Sequence, residues 1–434
     1  MRSRHLGIGF AFLVMLFAHS GGARADAQAD IRGFIASISP PGAKISFSGL
    51  EETGGAIRVR NVVAQGQTAD GGEVIETIGM LELHGLRPLE RGLYHADRLQ
   101  AENIRLDGVD DMQSGGGGVK IARISASGIT GARIGEVRFS GAEISAARED
   151  GNYVLEIGQG ELRNLDAKPF SQGAGGPHAL LNAVLNEPVY SGLQLRELAL
   201  RKEGRRLLAI ATLVSEADGG YAPFPASGKL SITGGRLDLR AAPKAAELGQ
   251  ILGQEVLQFT LSSRHDFRAP ASHQWDMRLE VSPDGALQGR CAADHLSAFH
   301  PSLTGQAMAA GGSAALRSCD LNFTGAEFVN RWLAQDGAKE GLNADQARAK
   351  YLAAALYIPF DPQAGADPLA TEFSKAMTIF LSQPSRLNLR LDPPGGLTPV
   401  EAIASFAILR HGAPAQKQQA MQKLGLRLSA EPLN

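Results

Sequence analysis

The sequence predicts a mainly β protein of the α+β kind: an elongated antiparallel β-sheet array, or a curled sheet or sandwich, with a helix-containing C-terminal region. Three observations carry this. Short apolar–polar alternations fill the chain from Lys44 to about Arg290. Turn-forming clusters separate them, and from Glu327 the apolar period lengthens from two residues to 3.6.

The chain begins with a basic cluster, Arg2, Arg4 and His5, followed by twelve apolar residues from Leu6 to Phe17 and the small-x-small string Ala23-Arg24-Ala25. This order predicts a secretory signal peptide over residues 1–25, with the mature chain starting near Asp26 and exported to the periplasm. The apolar run falls short of the roughly 20 residues a helical span needs. An uncleaved N-terminal anchor is the rival reading. No later run approaches a transmembrane length, so no span is expected after cleavage.

Residues 26–320 read as short antiparallel strands. Ile57 and Val59, Leu81 and Leu83, Ile104 and Leu106, and Val137 and Phe139 each flank a polar residue. The pattern resumes at Leu193 and Leu195, at Leu257, Phe259 and Leu261, and along Trp275, Met277, Leu279 and Val281. Such alternation means one dry face and one wet face. Glu-Thr-Gly-Gly at 52–55, Asp-Gly-Gly at 70–72, Asp-Gly at 150–151, Asp-Gly-Gly at 218–220 and Pro-Asp-Gly at 283–285 are expected to mark turns. A heptad recurs as Ile45–Glu51, Val137–Glu143 and Leu321–Glu327, each carrying Phe, then Ser or Thr, then Gly.

Residues 321–434 read as mixed. Short helices are expected earlier, over 177–185 and 243–252. Phe328, Val329, Trp332 and Leu333 then form an apolar stripe. Asn343 with Gln346 and Thr398 with Glu401 are capping boxes, and Asp367-Pro368 opens a helix whose Leu369, Phe373, Ala376, Met377 and Phe380 share one face. Strands follow at Leu387–Leu391 and at Leu426 and Leu428, with a last helix over 415–424 between them.

Composition excludes several functions. Without the leader, 40 basic residues face 45 acidic ones, a net charge of −5, which gives no electrostatic case for nucleic acid. Walker, Rossmann, nucleophile-elbow and zincin motifs are missing. His265, His273, His295 and His300 fall within 36 residues but match no metal-ligand spacing, so no metal or cofactor is expected. Arginine outnumbers lysine 32 to 11 and occupies wet strand positions such as Arg58, Arg60, Arg105, Arg138, Arg196, Arg278, Arg390 and Arg427. These suit either a solvated face or capture of phosphate or acidic sugar groups. Cys291 and Cys319 make an even pair in an exported chain and point to a disulfide, with two buried thiols as the alternative.

A dry sheet face must be covered by a second sheet, by helices or by a ligand. If the sheet curls, Ile57, Val59, Leu81, Leu83, Ile104, Leu106, Val137 and Phe139 would line a groove suited to acyl chains. They would equally serve as ordinary core.

The glycine-punctuated strands, as in Ile57–Val63 and Leu99–Gly108, resemble those of the AsmA-like envelope proteins. The tail, from Pro384–Pro394 through Thr398-Pro399-Val400-Glu401 to Leu424-Gly425-Leu426, looks like the end of uncharacterised alphaproteobacterial periplasmic proteins. The AsmA-like resemblance implies an apolar β-groove that conducts lipid, and no catalytic residue. The expected function is therefore a non-catalytic periplasmic protein binding phospholipid or another apolar envelope component. A scaffold that binds an envelope protein through its sheet edges is the alternative, and an uncharacterised hydrolase the third.

Overall fold

The computed structural model describes residues 27–39, 42–67, 73–89, 93–107, 117–131, 133–148, 150–166, 190–221, 224–241, 243–268, 272–282, 285–294, 315–360, 367–383 and 385–432. The expected signal peptide, the helix expected over 177–185, and His295 and His300 lie outside the described residues. The chain divides into two compact units, Met1–Pro225 and Ala226–Asn434. It is mainly antiparallel β with helices in the C-terminal region, as the sequence predicts.

Unit 1 opens with α1 (Ala27–Ile38) and continues as a meander. Its long strands are β1 (Lys44–Thr53), β2 (Ala56–Gln67), β3 (Glu73–His84), β5 (Tyr94–Asp107), β6 (Gly117–Thr130), β7 (Arg133–Arg148), β8 (Gly151–Asp166), β9 (Gly192–Lys202) and β10 (Arg205–Tyr221). Each pairs antiparallel with the next, and the two-residue β4 (Arg87–Pro88) adds to β5.

These strands are long, and their alternation breaks at fixed places. In β5 the buried residues are Tyr94, Ala96, Leu99, Ala101, Ile104 and Leu106, so the inward set steps by three residues twice instead of by two. The breaks align across the sheet. Asn61, Gly79, Asn103, Ala122, Gly141, Gly158 and Glu197 form one cross-strand row, bracketed on either side by regular pairs. Asn61, Asn103, Gly141 and Glu197 take left-handed backbone, with φ between 50° and 62°. Their partners are small for a reason: a Cβ on Gly158 would lie 2.9 Å from the Glu197 Cβ, and one on Gly141 would lie 2.9 Å from the Ala122 Cβ. A second row, six positions away on the same strands, runs Asp97, Gly128, Gly135 and Asn164, with Gly128 at φ 65° and Asn164 at φ 51°. At each break two successive residues face outward, which bends the strand around its dry side.

α1 shows how far the bending goes. Tyr94, at the start of β5, stacks edge-on against Phe34 at 5.9 Å between ring centres. Ser39, just past the end of α1, donates to Glu76, which pairs with Leu106 near the end of β5. A straight strand would separate positions 94 and 106 by about 40 Å. A 12-residue helix is about 18 Å long, so β3 and β5 must curl around it. Ile31, Phe34 and Ile35 enter the single apolar core that the sheet's inner face forms. Gly33 lets the Tyr94 hydroxyl sit where a Cβ would be.

Unit 2 runs through β11 (Phe224–Asp238), α2 (Pro243–Leu252), β12 (Val256–Arg268), β13 (Ser272–Ser282), β14 (Gly285–Asp294) and β15 (Ala315–Thr324). It continues with α3 (Ala326–Ala338), α4 (Ala344–Tyr357), α5 (Pro368–Ser382), β16 (Ser385–Leu391), α6 (Pro399–His411), α7 (Pro414–Leu424) and β17 (Arg427–Pro432). Strands β11 to β17 again pair in sequence order. Both expected capping boxes form: Asn343 with Gln346, and Thr398 with Glu401. Lys423 and Thr398 hold the Glu401 carboxyl down to about 2. Asp367 caps α5 and pairs with Lys417 of α7. Cys291 and Cys319 are cross-strand neighbours on β14 and β15 and form a disulfide. The helices enclose two small cores, one centred on Leu333 and Phe380 and the other on Leu397 and Leu424.

Candidate apolar groove

All eight groove candidates face inward and are buried, from 0% exposed at Val59, Leu83 and Val137 to 8% at Ile57. Six share the panel between the two bend rows. Register aligns Ile57, Leu83, Leu99, Ala126 and Val137 in one cross-strand row, and Val59, Leu81, Ala101, Ile124 and Phe139 in the next. The Phe139 ring lies over Gly160, where an added Cβ would come within 2.0 Å of it. Ile104 and Leu106 belong to the neighbouring panel, past the first bend row, beside Ile78 and Ile121. The two panels and α1 form one continuous core, in which the described residues hold no second sheet.

One carboxylate interrupts this surface. Glu76 stands in the row Ala64, Glu76, Leu106 and Val119, and is 1% exposed. Its Oε2 accepts the Ser39 hydroxyl at 3.3 Å, and its Oε1 has no hydrogen-bond partner among the described residues. Burial pushes its pKa up to about 7, opposed only in part by the Ser39 hydrogen bond. In the sequence Glu76 shares the two-residue parity of Val74 and Ile78, which places it on the inner face although it is not apolar.

The outer face of the same sheet is polar. Arg123, Arg138 and Arg196 surround an open pocket of about 330 Å³ with Gln159, Glu161 and Gln194. Arg138 is engaged by Glu136 and Glu161, and Arg123 by Glu102. In unit 2, His265 and His273 sit on neighbouring strands, and among the described residues no three His, Cys, Asp or Glu side chains converge as metal ligands. No helix among the described residues is long and apolar enough to cross a membrane.

A family model described only as an uncharacterized protein matches residues 257–431. The match lies within unit 2 and includes the C-terminal tail. No curated protein matches the chain.

Proposed function

We propose that unit 1 is a receptacle for an elongated apolar molecule, of which a phospholipid acyl chain is the best-fitting class, in a non-catalytic protein exported to the periplasm. One observation carries this reading: the dry face of a single curled sheet packs on itself and on an amphipathic helix, with no second sheet among the described residues to cover it. The packing of Ile31, Phe34 and Ile35 of α1 against this inner surface supports the reading. A lipid-handling role of the AsmA-like kind fits this surface and adds nothing catalytic.

The test is native mass spectrometry, with lipid extraction, of the protein purified from its own periplasm. A phospholipid carrying a photoactivatable acyl chain, supplied below its vesicle-forming concentration, then locates the site. Co-purifying phospholipid and cross-links within residues 56–165 are expected. A lipid-free protein whose only cross-links fall in unit 2 would sink the proposal.

A second reading has one observation behind it. Strand β1 is largely exposed and pairs only with β2 among the described residues, which leaves an edge for strand addition by a protein partner. Arg32 of α1 already donates to the Ile45 carbonyl on that strand, which blunts the invitation.

A further inference from the structure

Helix α1 depends on the core it enters. Twelve residues make a marginal helix in water, so α1 persists because Ile31, Phe34 and Ile35 are buried inside the curl. At its end Ser39 reaches Glu76, and along its side Arg32 donates to the Ile45 carbonyl and lies 4.9 Å over the Phe47 ring. Gly42, between α1 and β1, takes φ 74° with open space around it, so the connection has room to turn.

Glu76 sets a titratable group against that helix. Ser39 directly follows Ile38, so the carboxyl it meets stands at the C-terminal, negative end of the helix dipole, where a further negative charge is repelled. Among the described residues no charged side chain shares the inner face there. On α1, Arg32 is turned to β1, and Asp30, in the first turn, acts on Tyr94. Glu73 on β3, Arg105 and Asp107 on β5, and Lys120 on β6 hold exposed positions. From β2 the carboxyl meets Ala64. Burial and the Ser39 hydrogen bond are therefore what set its titration.

We propose that α1 is a releasable stopper in the curl of unit 1, and that ionisation of Glu76 releases it. With its proton the carboxyl sits in the core beside Ser39. Without it, a charge is stranded in an apolar row, and letting the helix go admits water to that charge. That α1 thereby gates a guest rests on the receptacle reading; its release does not.

The experiment is hydrogen exchange of the full chain at pH 5 and pH 8, with Glu76→Gln at each pH as the reference that cancels the intrinsic chemistry of exchange. Relative to that variant, the wild-type opening constant over residues 27–38 should rise on the order of 50-fold between the two pH values, levelling off above the pKa of about 7. Ser39→Ala should move the levelling-off to higher pH, because the hydroxyl favours the charged form. Strands β2 to β8 should keep their protection. Labelling by the photoactivatable phospholipid should rise with pH in the wild type and stay level in Glu76→Gln. Equal exchange of wild type and variant at both pH values would overturn the proposal. So would a loss of protection shared by α1 and β2 to β8, which would make Glu76 a group of global stability only. Release of α1 without labelling at either pH would refute the receptacle and leave the switch standing. Labelling indifferent to pH, with α1 still protected, would do the reverse.

Discussion

Glu76 is a carboxyl group whose burial moves its titration toward neutrality. Its pKa in the folded chain is raised to about 7 by burial, whereas the unfolded chain releases the proton at an ordinary carboxylate pKa. The stability this group contributes is complete below that ordinary value and is lost as pH rises through 7, about 3 kcal/mol in all. Glu76→Gln keeps the shape and the donor–acceptor capacity without the charge. Urea midpoints at pH 5 and pH 8 should therefore converge for the variant and separate for the wild type; equal pH dependence in both would refute the assignment. Gly141 makes a different demand. Its φ of 62° and the Ala122 Cβ 2.9 Å from its own missing Cβ leave no room for a branched side chain. Gly141→Val should cost at least about 1–3 kcal/mol in urea unfolding, whereas Asn103→Gly should cost little, because asparagine and glycine both tolerate that backbone.

At the level of elements, the bend rows explain what alternation could and could not reveal. Pairs such as Ile57 and Val59, or Val137 and Phe139, lie between breaks, so their two-residue period pointed to the correct face. The period does not survive a break, and a strict two-residue template loses the inner face every five or six residues. The signal was present in another form: Arg60-Asn61-Val62, Glu102-Asn103-Ile104 and Arg163-Asn164-Leu165 place asparagine between a charged and an aliphatic residue at three bends. The recurring heptad has a related meaning. Gly49 and Gly141 are bends at φ 64° and 62°, while Gly325 caps α3 with extended backbone. Helix α1 lies inside the region 26–320 that reads as short strands, yet Ile31, Phe34, Ile35 and Ile38 stand at helical spacing in the sequence. Phe34→Ala should cost about 3–5 kcal/mol of unit 1 stability. If the curl accepts apolar guests, the vacated volume should also raise labelling by the photoactivatable lipid. A loss of stability without added labelling would mark the inner face as core alone.

For the whole molecule, the separation of cores decides how the two units respond to insult. Among the described residues, the large core draws on α1 and the strands of unit 1, and the two small cores draw on unit 2. The helical boundaries of unit 2 were legible because caps are local: Asn343, Asp367 and Thr398 each announce a helix within three residues of its start. The division between units was not legible, because β-strands with the same alternation continue on both sides of Pro225 and only non-local pairing separates them. The disulfide lies wholly in unit 2, closing a loop of 28 residues between β14 and β15. By the chain-entropy model that closure is worth on the order of 3 kcal/mol. Those small cores give unit 2 little margin, so Cys291→Ser/Cys319→Ser should raise hydrogen exchange across β12 to β17 and α3 to α7. Strands β2 to β8 should keep their protection, since none of their buried contacts involve the bridge. Loss of protection spreading evenly over both units would mean that they unfold as one.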